Sequence, residues 1–121
     1  MSLENHVVVE FYNVRESEIL DSPRKMEAML RELAEVVGLD VKALHIHEFE
    51  PYGVSSLLLT ERGYVALHTW PEHDYATVNI VDFAPGESDW AERALEFLRE
   101  RLKPETDSIV EISTGRVRKN E

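Results

Sequence analysis

The stretch that most constrains the fold is residues 51–72, PYGVSSLLLTERGYVALHTWPE. It contains two apolar runs rich in β-branched and aromatic residues, and a short break that includes Gly63 separates them. Such runs around a glycine-containing break predict a β-hairpin. The two strands also carry a dense set of side chains with hydrogen-bonding groups: Ser55, Ser56, His68, Trp70 and Glu72. We therefore expect this hairpin to carry a functional site as well as part of the core.

Four further runs on either side of the hairpin alternate between apolar and polar residues, and each predicts a strand. They cover residues 5–13, 39–50, 75–83 and 108–113. Side chains of a strand point alternately to opposite faces. In the second of these runs, one face is expected to carry Val41, Ala43, His45, His47 and Phe49.

Two segments have the apolar spacing of an amphipathic helix. In the first, Ser22 is the expected N-cap, Pro23 the first helical residue and Gly38 the C-terminal stop. The buried stripe of this helix is expected to contain Met26, Leu30, Leu33 and Val37, widened by Met29 and Val36. In the second segment, Ser88 is the expected N-cap, and Pro104 prevents the helix from continuing.

These elements follow the order β-α-β-β and then β-β-α-β. The order predicts an α+β fold: a two-layer sandwich whose antiparallel-rich sheet has both helices on one face. At 121 residues, the whole chain is expected to form one domain, with residues 116–121 as a flexible tail. A domain of this size leaves room for a dimer interface to add buried area.

Charge and composition narrow the possible partners. The chain has 24 acidic and 13 basic side chains, a formal net charge of −11. This charge repels phosphate backbones, so nucleic acid is not an expected partner. It also favours cationic ligands, although solubility, or adaptation to salt or heat, is the more common reason for such a charge.

The chain has no cysteine, which excludes disulfides, cysteine zinc sites and thiol catalysis. It also has neither a long apolar run nor the pattern of a signal peptide, so we expect a cytoplasmic protein without a membrane partner.

Two polar features lie on predicted strands outside the hairpin. Glu10 stands on a buried-looking strand, where it either binds a ligand or lies at a solvent-accessible edge. His45 and His47 share a face with a spacing that can hold zinc or copper. Because no third ligand follows nearby in the sequence, we expect polar surface or core there and no metal site.

The motifs PYGVS and HTWPE, with the spacing between them, resemble the prokaryotic short-chain S-adenosylmethionine decarboxylases, pyruvoyl enzymes of spermidine synthesis. The resemblance extends to about residue 115. It implies that family's protomer, a sheet with two helices, and a homodimer with ligand sites near the subunit interface. Members of the family cut their own chain before a serine, which becomes the pyruvoyl group that accepts electrons during decarboxylation.

The resemblance also implies that two parts of this chemistry are missing. Counting back from His68, the family's Glu-Ser pair falls at positions occupied here by Arg62 and Gly63. Glycine has no side-chain oxygen with which to attack a carbonyl. The family's proton-donating cysteine falls at about the position of Phe83. We therefore expect an unprocessed chain without a pyruvoyl cofactor.

Other family positions keep matching residues. By resemblance, Ser55 and His68 assist self-processing, Phe49 stacks on adenine and Glu72 holds the ribose hydroxyls, a role that suits a carboxylate. Trp70 is also retained, and we include it with Glu10 among the ligand-binding candidates. Core packing for Phe49, and a structural hydrogen bond between Ser55 and His68, explain the same residues without a ligand.

Three functions follow. The first is a protein without pyruvoyl that binds S-adenosylmethionine or a polyamine-like cation, or regulates an active paralogue. The second is a decarboxylase whose processing site has moved to Ser55, Ser56 or Thr60. The sheet rise of about 3.3 Å per residue argues against the second, because it would shift the carbonyl sink by several residues. The third is a new acid/base reaction that uses His68 with Glu72 or Glu10.

Overall fold

The structure is a computed structural model that describes residues 1–117. Its strands are β1 (Ser2–Val14), β2 (Val41–Glu48), β3 (Val54–Thr60), β4 (Gly63–Trp70), β5 (Tyr75–Asp82) and β6 (Pro104–Arg116). Its α-helices are α1 (Pro23–Val37) and α2 (Trp90–Leu102), and two short 3-10 helices span Ser17–Asp21 and Pro71–His73. The order of strands and α-helices is the predicted one.

The strands form one six-stranded sheet in the order β2-β3-β4-β5-β1-β6. Every neighbouring pair is antiparallel. The predicted hairpin is β3–β4, and it lies between β2 and β5 rather than at an edge. Both helices pack on the same face, α1 against β2 and β3 and α2 against β5. The predicted α+β sandwich of a sheet and two helices is confirmed.

The core lies between the sheet and the helices. Alternate residues of the central strands point into it and are buried, because side chains of a strand alternate between faces. The sheet contributes Val9, Phe11, Val54, Leu58, Val65, Leu67, Val78 and Ile80, and the helices contribute Met26, Leu30, Leu33, Ala94 and Leu98. This one cluster connects all the central elements, so the hairpin is held from behind by packed side chains.

The other face of the sheet, which we call the open face, has no helix over it. It carries the second half of each strand's side chains, including those of the candidate site. Several are large and apolar, with exposed fractions of 40% for Leu57, 58% for Val110 and 50% for Ile112. Exposed apolar patches of this kind commonly mark interaction surfaces.

The predicted caps of α1 are present in the structure, whereas the predicted N-cap of α2 is not. The Ser22 hydroxyl accepts a hydrogen bond from the Lys25 backbone N–H at 3.1 Å, and Gly38 closes the helix in the left-handed conformation. The predicted N-cap Ser88 of α2 is wrong, because the N-cap residue is Asp89. The Ser88 hydroxyl instead accepts from the Trp90 backbone N–H at 3.4 Å.

Two residues lie on a different face from the predicted one: Val36 of α1 and Val41 of β2. Val36 is 54% exposed, because it points away from the sheet. A register shift in β2 between Val41 and Ala43 turns Val41 toward the core, whereas Ala43 stays on the open face with the two histidines. A local irregularity of this kind leaves no clear signal in the apolar pattern.

The last strand is longer than its sequence pattern predicts. It runs Pro104–Arg116 and pairs with β1 along its whole length. Arg116 therefore belongs to the sheet, and the Val117 backbone N–H donates to the Met1 carbonyl oxygen at 2.8 Å. The remainder of the predicted flexible tail, residues 118–121, lies outside the described residues. Within residues 1–117, no helix is both long and apolar enough to cross a membrane.

Candidate functional site

The site begins with a pair of residues fixed by the hairpin register. Ser55 on β3 lies directly opposite His68 on β4, and both side chains point to the open face. The Ser55 Oγ and the His68 Nδ1 are 2.8 Å apart, within hydrogen-bond distance. Both residues are half-buried, so a ligand on the open face can reach them.

A cavity of about 310 Å³ opens beside this pair. It is lined by Phe49, Tyr52, Ser55, His68, Thr69, Trp70 and Glu72. The cavity therefore brings together five of the six site candidates named from the sequence, all except Glu10. Phe49 and Trp70 are 47% and 42% exposed, so their rings are accessible to a ligand and are not buried in the core. Phe49 also contacts the His47 ring edge-on, with centroids 4.6 Å apart.

Thr69 anchors the wall of this cavity through buried hydrogen bonds, a role that the sequence did not indicate. Its buried hydroxyl accepts from the Val54 backbone N–H at 2.8 Å and donates to the Leu20 carbonyl oxygen at 2.5 Å. Nearby, the Asp21 carboxylate accepts from the Gly53 N–H at 2.9 Å. These contacts join the cavity to a 3-10 helix that lies more than thirty residues earlier, so no local pattern could reveal them.

Gly63 begins β4, next to the turn, with a backbone φ of 152°. A Cβ atom at this position would lie 1.9 Å from the Val81 carbonyl oxygen and 2.8 Å from Cζ2 of Trp90. Real Cβ atoms do not approach backbone atoms so closely, so any side chain here requires the backbone to move. Position 63 accepts glycine and excludes serine unless β4, β5 or Trp90 shifts.

Phe83 directly follows β5 and lies beside the β3–β4 turn. Its backbone N–H donates to the Arg62 carbonyl oxygen at 2.9 Å, and its ring meets Tyr64 edge-on with centroids 6.1 Å apart. The side chain is 40% exposed and apolar. It therefore offers packing surface and no group that exchanges a proton.

Glu10 is not part of the cavity beside Ser55 and His68. It lies on β1, between β5 and β6, so the expectation of an edge position is wrong. Its carboxylate accepts hydrogen bonds from the hydroxyls of Tyr75 at 2.6 Å, Tyr12 at 2.8 Å and Ser108 at 2.9 Å. The bond from Tyr75, followed by those from Tyr12 and Ser108, lowers the pKa of Glu10.

The two tyrosines respond in the opposite direction. Burial, together with the bond to Glu10, raises the pKa of Tyr75 to about 12. The same carboxylate raises the pKa of Tyr12. The bond to Glu10 contributes to both shifts, because the ionised carboxylate favours the neutral phenol that donates to it, but burial is the larger cause for Tyr75.

The two histidines of β2 lie on the open face near the sheet edge. Both are exposed, and His45 is paired with Leu57 while His47 is paired with Ser55. Across residues 1–117, no group of three or more histidine, cysteine, aspartate or glutamate side chains is arranged to hold a metal ion.

The chain is similar to known proteins of one family. A profile of the family described as S-adenosylmethionine decarboxylase matches residues 5–115, most of the chain. The chain belongs to the S-adenosylmethionine decarboxylase family. The resemblance inferred from PYGVS and HTWPE is therefore confirmed.

Relatives of this decarboxylase family member are similar over nearly its full length. It is 33% identical to the S-adenosylmethionine decarboxylase proenzyme of Thermosipho africanus over 115 residues, which cover 95% of this chain and 86% of the relative. It is 32% identical to the corresponding proenzyme of Thermomicrobium roseum over 117 residues, which cover 96% and 97% of the two chains.

A solved structure shares its fold. The adenosylmethionine decarboxylase from Aquifex aeolicus VF5 superposes with a TM-score of 0.87 at 24% identity, covering 98% of this chain and 95% of that chain. At that identity, the likeness supports the family's fold and not a particular chemistry.

Proposed function

We propose that this decarboxylase-family protein stays uncleaved and binds a cationic small molecule, S-adenosylmethionine or a polyamine, as a ligand-binding or regulatory paralogue. The observation that carries this proposal is the packing at Gly63. By the family resemblance, this position would supply the alcohol that attacks the backbone. Here it has no side-chain oxygen, and the Val81 carbonyl oxygen and the Trp90 ring occupy the space that a side chain would need.

The residues around the turn therefore do not suit a pyruvoyl group. Phe83 adds to this argument, because an exposed phenyl ring replaces the residue that the resemblance makes a proton donor. Two separate parts of the family's chemistry thus have no counterpart here: position 63 has no side chain, and position 83 carries a phenyl ring.

The cavity, by contrast, keeps groups suited to a nucleoside-like cation. The exposed rings of Phe49 and Trp70 offer stacking surfaces, and a cation near an aromatic face is attracted to it. The Glu72 carboxylate can accept two hydroxyl donors at once. The Ser55–His68 pair supplies further hydrogen-bonding groups at the cavity wall. The formal charge of −11 attracts cations from a distance.

Mass spectrometry of the purified chain tests whether it is processed. We expect one species of 14.0 kDa that does not react with hydroxylamine or another carbonyl reagent. The Thermosipho africanus proenzyme, purified in the same way, is the positive control. Two fragments, one with a carbonyl-blocked N-terminus, would refute the proposal.

Thermal unfolding in the presence of S-adenosylmethionine, its decarboxylated form and spermidine tests the ligand. A ligand that binds only the folded state raises the melting temperature as its concentration rises. We expect Phe49→Ala and Glu72→Gln to reduce this shift. Glu35→Gln, which removes an exposed carboxylate from α1, is the matched control and should leave it unchanged. If none of the three compounds shifts the wild-type curve, the ligand-binding role is wrong.

An active enzyme with a relocated processing site is the first alternative. Each hydroxyl on β3 already has a partner. Thr60 donates to the Gly63 carbonyl oxygen at 2.8 Å, Ser56 donates to the Leu67 carbonyl oxygen at 3.2 Å, and Ser55 bonds His68. These contacts favour structural roles, and the mass measurement above separates the alternatives.

A new acid/base reaction is the second alternative. Glu10 is a poor base for it, because its three hydroxyl partners lower its pKa. His68 and Glu72 line the same cavity and remain candidates. Incubation with S-adenosylmethionine, followed by mass spectrometry of the small molecules, tests this idea. A product that forms with the wild type and not with His68→Asn would favour it.

We further propose that two copies associate through the open face. The apolar side chains exposed there support this arrangement, since they would be covered by the same face of a second copy. A processed paralogue is the alternative partner for the regulatory role. Co-purification of tagged chain with a paralogue that retains the Glu-Ser pair tests it, with Leu57→Glu as the variant expected to abolish capture.

A further inference from the structure

A second cavity lies next to the candidate site, and Trp70 lines both. This cavity has a volume of about 470 Å³ and is lined by Tyr12, Asn13, Trp70, His73 and Tyr75. Neither Phe49 nor Glu72 lines it, so it is distinct from the cavity beside Ser55 and His68. Of its three aromatic side chains, Tyr12 and Tyr75 have no role in the function proposed above, and only Trp70 is shared with the neighbouring cavity.

Three aromatic rings from adjacent strands form the wall of this cavity. Tyr12 on β1 is next to Tyr75 on β5, with centroids 5.3 Å apart, and Tyr75 is next to Trp70 on β4, with centroids 5.4 Å apart. The rings are tilted by 50° and 52°, so they do not form a parallel slot for a flat ring. In the single chain Tyr12 is 39% exposed and Trp70 is 42% exposed, which leaves ring surface free for a ligand. Trp70 and Tyr75 lie at strand ends, whereas Leu57 and Val110 of the proposed dimer contact lie in the middle of their strands.

The Glu10 carboxylate fixes two of these rings and makes them electron-rich. One of its oxygens accepts hydrogen bonds from both Tyr12 and Tyr75, while the other accepts from Ser108. A phenol that donates to a carboxylate gains electron density in its ring, which strengthens the attraction of a cation to the ring face. No lysine or arginine is among the described residues that line the cavity.

We propose that the cavity formed by Tyr12, Tyr75 and Trp70 is a second binding site, selective for an organic ammonium group. Aromatic faces arranged around a cavity are the usual means by which proteins recognise alkylated ammonium ions. Here the Glu10 carboxylate also bonds the hydroxyls of two of the rings. This inference does not depend on the absence of processing or on the ligand of the neighbouring cavity.

Choline and its neutral carbon isostere, 3,3-dimethylbutan-1-ol, provide the test. The two have the same shape and differ by one charge. Each is titrated into the full chain at constant ionic strength, and the indole N–H resonances are followed by NMR, with Trp70→Phe used to assign the Trp70 signal. We expect choline to shift the Trp70 resonance at millimolar concentrations and the neutral isostere to bind roughly tenfold more weakly or not at all. Equal binding of both compounds, or binding of neither, overturns the proposal.

Variants place the bound choline in one cavity or the other. Tyr12→Leu and Glu10→Gln should each weaken choline binding by roughly tenfold, whereas Glu72→Gln, which removes a carboxylate from the neighbouring cavity, should not. If Tyr12→Leu does not fold, Tyr12→Ile in the same strand position replaces it, with circular dichroism as the check on folding. If Glu72→Gln abolishes binding and the Tyr12 and Glu10 variants do not, choline occupies the neighbouring cavity and the proposal is wrong. The S-adenosylmethionine titration can fail without affecting this outcome.

Discussion

Ser55 Oγ and His68 Nδ1 lie 2.8 Å apart on residues that face each other directly across β3 and β4. Their contact follows from the backbone register of the hairpin, because paired residues of neighbouring antiparallel strands point to the same face. It does not require a particular residue at the turn. The pair can therefore persist in a chain that has Gly63 next to the turn.

Replacement of Gly63 by serine should neither restore cleavage nor be tolerated without cost. The new Cβ would press on the Val81 carbonyl oxygen and the Trp90 ring. We expect Gly63→Ser to remain one species by mass spectrometry and to lose about 1–3 kcal/mol of unfolding free energy, the usual cost of overpacking.

Gly86→Ser is the matched control for this change. Gly86 also has a positive φ, 92°, but an added Cβ there meets no atom within 4 Å. Gly86→Ser should therefore lower the free energy of unfolding less than Gly63→Ser does. Efficient cleavage of Gly63→Ser would mean that the backbone rearranges easily and that packing is not what keeps the chain intact.

Thr69→Val should destabilise the wall of the candidate cavity. The substitution keeps the shape of the side chain and removes the hydroxyl that bonds Val54 and Leu20. Because these buried backbone groups would lose a partner, we expect a loss of about 1–3 kcal/mol in chemical denaturation. Thr106→Val, the same change at an exposed position of β6, should have little effect. Equal stability of the two variants would contradict this role for Thr69.

The carboxylate of Glu10 should make stability depend on acid pH. Its pKa is lower in the folded state than in the unfolded chain. A carboxylate of this kind contributes stability that is present above its unfolded pKa and is lost as the pH falls through the folded one. Glu10→Gln should therefore reduce the acid-side loss of stability, as measured by urea unfolding between pH 6 and pH 2. Parallel pH curves for the wild type and the variant would rule this out.

Tyr75 should produce the opposite effect in alkali. Its pKa is about 12 in the folded state, above the value for a free tyrosine. Its contribution is thus fully present below the unfolded pKa and is lost as the pH rises from about 10 through 12. In a folded sample, ultraviolet absorbance should show a late-ionising phenol that disappears in Tyr75→Phe. If all the tyrosines ionise near pH 10, Tyr75 is neither buried nor bonded to Glu10 in solution as it is in this structure.

Association through the open face should be sensitive to charge placed there. We expect Leu57→Glu and Val110→Glu to convert a dimer to a monomer in light scattering after size exclusion, because each puts a carboxylate into the apolar patch. Val36→Glu makes the same type of change at an equally exposed valine on α1, and it should leave the dimer intact. Dissociation by Val36→Glu alone would move the interface to the helical face.

The sequence alone was enough for the order of the elements, because their periodicities are local. The helix cap at Ser22 and Pro23 and the hairpin of residues 51–72 are decided by neighbouring residues in the chain. The same holds for the gathering of Ser55, His68, Trp70 and Glu72, since all four belong to one hairpin and its end.

Only the tertiary structure decided what surrounds these residues. Glu10 is drawn into a cluster with Tyr75 and Ser108, which are 65 and 98 residues away along the chain. Val81 and Trp90, from a strand and a helix that follow the hairpin, close the space beside Gly63. Periodicity indicates which way a side chain points but not which distant element meets it. That depends on strand order and helix packing, and both arise from the burial of the whole core at once.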